Sequence, residues 1–157
     1  MRFAISVPQF QKPGPPIWFG GSHPAALRRA VRHGDGFFGA GSSTTAQFAD
    51  QVRVVRDALE QQGRDAAGFR IAKRVYIAVD DDADRARQRV AAALDRLYGY
   101  FGLKDLTPVA VSGPPIACVH GLREVTEAGA ELLLLNPLFD AAEQMERLAT
   151  EVVPQLS

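Results

Sequence analysis

The chain carries a single cysteine, Cys118, so no disulfide can close within it, and a reducing compartment such as the cytoplasm is the expectation. Charge of one sign is lacking too, since 18 Lys and Arg stand against 18 Asp and Glu. A nucleic-acid module shows a basic excess or stripe and an acidic solvating chain the reverse, so both classes recede. No apolar run approaches the roughly 18 residues of a membrane-crossing helix, and the one ahead of Pro8 is too short for a secretory signal. His23, His33 and His120 lie in separate segments without metal-ligand spacing, so no metal site is expected. Neither a P-loop, a Ser/His/Asp order nor a carboxylate pair stands out, and no catalytic residue is assigned.

What is present is an ordinary globular composition: 157 residues, 46% hydrophobic and 23% charged. A chain of this size buries roughly 68 to 70% of its unfolded surface, enough for a core without metal or disulfide. Low-complexity segments and linkers are missing, so one domain over 1–157 is expected. Cys118 reads as a small buried hydrophobe rather than a reactive thiol.

Strand-like and helix-like segments alternate. MRFAISVPQF (1–10) leads into QKPGPP (11–16), which proline geometry keeps extended or turning. IWFGG is a short apolar run closed by two glycines, after which Pro24 opens a helix carrying Ala26, Leu27, Ala30 and Val31 up to Gly34. Asp35 to Phe38 reads as a strand and GAGSS as a loop. Thr44 with Gln47 makes a capping box ahead of the stripe Phe48, Val52, Val55 and Leu59. Phe69 to Val79 is the longest strand candidate, and Asp80 to Asp82 cap a helix bearing Ala83, Ala86, Val90, Leu94 and Leu97. Tyr98 to Leu106 has no clear period and reads as an irregular excursion or short helix. SGPP opens another helix with Ile116, Val119, Leu122 and Val125, ending at Gly129. Glu131 to Asn136 (ELLLLN) reads as a strand covered on both faces. Asp140 with Glu143 reads as a last capping box, before the stripe Met145, Leu148 and Val152. This order argues an α/β fold with a parallel sheet of right-handed βαβ units.

QKPGPPIWFGGSHPAALRRAVRHGDGFF resembles a segment of the luciferase-like flavin-dependent monooxygenases and their deazaflavin-dependent relatives. Gly63 to Asp65, the strand ending at Asp80 and Asp81, Ser112 to Pro114, EAGAELLLLN (127–136) and EVVPQL (151–156) extend the resemblance over 8–157. It implies a TIM barrel, and a full barrel runs about 250 residues. The matched segments correspond to the family's last four βα units. The expected fold is therefore a half TIM barrel of about four βα units plus an N-terminal strand. MRFAISVPQF is either a vestige of the family's first strand or a lead-in to QKPGPP.

The resemblance also implies where a ligand sits. Gly20, Gly21 and Ser22 form a turn similar to one that contacts the cofactor's phosphate or ribityl side, and paired glycines before a helix N-terminus suit an anion. Gly39, Gly41, Ser42 and Ser43 occupy the next loop at the same end of the sheet, as a second anion site or as plain turn and capping chemistry. Asn136 at that end either reaches a ligand or makes an ordinary turn before Pro137, and His23 is the one histidine beside the glycine turn. Arg28, Arg29 and Arg32, like Arg85, Arg87 and Arg89, read as solvated helix faces. Trp18, Phe37, Phe38, Tyr76 and Tyr98 read as core rather than as flavin-stacking rings.

The implied activity is that of an oxidoreductase of the luciferase-like monooxygenase class, or a part of one, using reduced FMN or the deazaflavin coenzyme F420 on an unknown small molecule. The alternative is a non-catalytic flavin-binding or assembly protein derived from such an enzyme. Half a barrel leaves sheet edges and interior surface open, so tight association is expected. A homodimer, an N-terminal strand capping one edge and a complementary half-barrel chain are the options.

Overall fold

The computed structural model describes residues 14–156; the N-terminal strand expected within 1–10 and residues 11–13 of the QKPGPP segment lie outside that range. Chain order runs β1 (Trp18–Phe19), α1 (Pro24–His33), β2 (Gly36–Gly39), α2 (Thr45–Gln61), β3 (Arg70–Val79), α3 (Ala83–Tyr98), β4 (Ala110–Gly113), α4 (Pro115–Glu127), β5 (Leu132–Pro137) and α5 (Ala141–Arg147). Local chemistry sets the helix starts. The Thr44–Gln47 box forms in both directions, at 2.9 and 3.2 Å. Asp82 accepts from the N–H groups of Asp84 and Arg85.

All strand pairs are parallel. β2 pairs with 70–73 of β3 and β4 with 76–79, while β5 pairs with 72–77 and overlaps both. An overlapping pair cannot share an edge, so β2 and β4 follow one another along one edge of β3, with β5 on the other. The barrel-type order is thus β1-β2-β3-β5. β4 was not anticipated: four residues are too few to show a period, and pairing with the end of β3 makes them a strand.

Alternation along β3 divides the core. Ile71, Val75, Ile77 and Val79 join Leu27 and Val31 of α1, Val52 and Val55 of α2, and Cys118 and Leu122 of α4 in one large cluster. Tyr76 and Ala78 point to the opposite face, where Val90 and Leu94 of α3 cover them. Helices α1, α2 and α4 therefore clothe the outer face, and α3 overlies the C-terminal part of the inner one.

Several expectations are corrected. β5 is not covered on both faces: Leu133 and Leu135 pack on the outer cluster, but Leu132 and Leu134 on the inner face are 53% and 46% exposed. The Asp140 side chain makes no cap hydrogen bond; the residue sits at φ 45° and pairs with Arg89. In the last stripe Met145 is exposed, and Gln144 is buried instead, its amide closing both the N–H (2.7 Å) and the C=O (2.9 Å) of Val79. Leu97 and Ile116 likewise fall outside their helices' buried stripes. No helix among the described residues is long and apolar enough to cross a membrane.

Candidate functional site

At the C-terminal ends of β1 and β2 an open cleft of about 530 Å³ lies between α1 and α2. Gly21, Ser22, Ser42 and Ser43 line one side of it, and Gln47, Asp50 and Gln51 of α2 another. Gly21 has φ +134°, and a Cβ there would stand 2.9 Å from that of Ala26. Only glycine makes this turn without backbone strain and a clash with Ala26. His23 caps α1, its Nδ1 accepting from the Ala25 N–H at 3.2 Å.

The structure brings Gly21, Ser22 and Ser42 together on the cleft. Gly20 adjoins it without lining it. Gly39 and Gly41 have packing reasons: a Cβ would lie 2.6 Å from the Phe48 ring in the first case and 2.7 Å from the Tyr76 ring in the second. Asn136 lies on β5, beyond β3 from the cleft, and its Nδ2 donates to the Pro137 carbonyl.

Sequence reasoning missed one residue that lines the cleft, Gln51, and one that supports its loop from beneath, Lys73. Lys73 is buried on the outer face of β3, and its Nζ donates to the carbonyls of Ser43 (2.8 Å) and Ala40 (3.0 Å) beneath the loop that lines the cleft. No carboxylate lies within 4 Å of it among the described residues. Burial pushes the ammonium down to about 8. Gln51, also buried, donates from Nε2 to Ser43 Oγ at 3.2 Å, while its Oε1 has no partner. A cation beneath the loop and hydroxyls above it suit an oxyanion, and the orphan Gln51 acceptor suits a hydroxyl-bearing chain. Asp50, at the same wall, is ion-paired with Arg53.

A second polar group stands on the inner face. The hydroxyls of Tyr76 and Tyr98 meet at 2.7 Å, and burial together with Tyr76 pushes Tyr98 up to about 12, against an opposing pull from Ser42. Trp18 and Phe38 meet edge to face on the same inner side, 6.3 Å between centroids. Cys118 is buried against two carbonyls and its thiol is pushed up to about 11, far from thiolate chemistry. Arg85, Arg87 and Arg89 pair with Asp80, Asp84 and Asp140. No group of His, Cys, Asp and Glu among the described residues could hold a metal.

Four consecutive parallel βα units, with the cleft at the C-terminal ends of the strands, define half of a (β/α)₈ barrel with its ligand loops on the usual face. The chain belongs to the luciferase-like monooxygenase family, whose family model matches residues 2–107. A phthiodiolone/phenolphthiodiolone dimycocerosates ketoreductase of Mycobacterium sp. (strain JLS) is 25% identical over 107 residues, 68% of this chain and 28% of that protein. An F420-dependent secondary alcohol dehydrogenase shares the fold over 90% of this chain and 49% of its own, at TM-score 0.74 and 16% identity. Coenzyme F420-dependent tetrahydromethanopterin reductase from Methanopyrus kandleri does so over 90% and 51%, at TM-score 0.70 and 18% identity. At such identities the likeness shows the fold, and the chain spans about half the length of these solved relatives.

Proposed function

We propose that this chain forms the cofactor-phosphate half of a luciferase-like oxidoreductase working with reduced FMN or F420. The carrying observation is the cleft lined by the Gly21–Ser22 turn and by Ser42, in a loop held from beneath by buried Lys73. FMN and F420 both present a phosphate on a polyol chain. Gly21, Ser22 and Ser42 are the residues to hold the phosphate, with Lys73 supplying positive potential from below, and Gln51 is the acceptor for a polyol hydroxyl. When bound, the cofactor supplies hydride transfer or oxygen activation, and the protein supplies binding and orientation. The reading is supported by the family membership and by two F420-dependent proteins among the solved relatives.

The exposed inner leucines and the free strand edges favour one further element: a second half barrel closes the sheet and brings the rest of the reaction site. Titration of the purified chain with FMN and F420, followed by fluorescence, tests the cofactor reading. Saturable binding that Gly21→Val abolishes is expected; absence of binding to both cofactors refutes it.

A further inference from the structure

We propose that the inner face of the sheet docks a complementary half barrel bearing an inward-facing carboxylate opposite Arg74, and not a second copy of this chain. The inference rests on the reading that a second half closes the barrel. It comes from the charge of the inner face.

Register and alternation place Trp18, Phe38, Arg74, Leu132 and Leu134 on the part of that face that α3 leaves uncovered. β1 pairs only with β2, and β5 only with β3, among the described residues, so each has a free edge beside exposed apolar side chains. Such edges and faces are covered in stable proteins. Hydrophobicity alone accepts any half barrel, this one included.

Arg74 does not. It is exposed, its stem leans on the β2–α2 loop near Gly41, and no carboxylate lies within 4 Å among the described residues. Arg70, two inward positions earlier, is already paired with Glu131 at 3.4 Å. No Asp or Glu occupies an inward-facing strand position, and residues 1–13 and 157 contain none either. Two copies closing edge to edge about the barrel axis would bring Arg74 against Arg74 in one interior layer, with no strand carboxylate to balance them. Burying like charges together is costly, and such repulsion is how interfaces reject a wrong partner. A half barrel with an acidic side chain in that layer gives the guanidinium a bidentate partner instead.

The chain itself carrying Arg74→Glu is the probe, since it presents a carboxylate at the same height on the same face. Sedimentation velocity on the wild type, the variant and their equimolar mixture at micromolar concentration reads the result. Each alone is expected to be monomeric, and the mixture to form a 1:1 heterodimer at least roughly tenfold tighter than either self-association. Arg74→Met, neutral at that position, is expected to self-associate more than the wild type, and circular dichroism on each variant confirms the fold. A wild-type dimer as tight as the mixture overturns the charge rule while leaving barrel closure standing. No association in the mixture of folded chains overturns the inner face as a docking surface. The FMN and F420 titrations, run on the same samples, report separately on the cofactor reading.

Discussion

Lys73 is the residue whose burial has the most measurable consequence. Its ammonium lies in the outer core, 5.3 Å from the centroid of the Phe48 ring, with two backbone carbonyls as acceptors. Burial lowers its pKa from 10.5 to about 8. The unfolded chain therefore holds this proton up to about 10.5, while the folded chain releases it near 8. Between those values the unfolded state binds more protons, so this residue makes stability rise with pH across the window and leaves it flat below 8. Each pKa unit is worth 1.36 kcal/mol, and the full rise comes to about 3 kcal/mol. Lys73→Met removes it. At pH 7 relief of the buried charge offsets the loss of two charge-assisted hydrogen bonds, so the net change there is a poor readout and the pH slope a clean one. Urea unfolding of wild type and variant from pH 7 to 10.5 measures the slope, and subtracting the two removes what both chains share. A difference in stability that stays constant across that range refutes the reasoning. If the proposed cofactor reading holds, the same deprotonation weakens the positive potential beneath the cleft, and FMN titrations repeated between pH 7 and 9 are expected to show affinity falling through about 8 in the wild type and staying level in the variant.

Gln144→Leu orphans the N–H of Val79 at the end of β3 and leaves its C=O with only the longer Arg147 bond at 3.4 Å, and denaturant unfolding should show a loss of about 1–3 kcal/mol. A loss below about 0.5 kcal/mol would mean that water replaces the amide. Asp80 is held down to about 2, chiefly by its hydrogen bond from Arg85, so it contributes stability above its usual value near 3.8 that is lost as pH falls from there towards 2. Asp80→Asn should flatten that part of the acid-unfolding profile, and an unchanged acid limb would count against the pair.

Much of the fold is legible along the chain because its determinants are local. Glycine and proline punctuation, the Thr44 box, the Asp82 cap and the helical stripes act within one turn, and they locate β1, β2, β3 and β5 with their helices to within a residue or two. The Gly-Gly turn is legible for the same reason: Gly21 adopts a backbone conformation other residues avoid. Gly39 and Gly41 looked alike in sequence, yet each makes room for an aromatic ring that approaches from another element.

What sequence could not show depends on partners far along the chain. Lys73 reads as one charge in a strand, and its burial follows from carbonyls 33 and 30 residues away. Gln144 reads as a surface residue, and its role depends on a strand end 65 residues distant. α3 has an amphipathic stripe like those of its neighbours, and nothing in that stripe says which face of the sheet it covers; Tyr76 and Ala78, set by the alternation of β3, decide that it is the inner one. The sequence by itself determined the family, the alternation of elements and the glycine turn, because each is written in near neighbours. Only the tertiary structure decided that the inner face is open at Leu132 and Leu134, that Arg74 has no carboxylate within 4 Å among the described residues, and that a buried lysine underlies the cleft loop, because each depends on which distant residues meet.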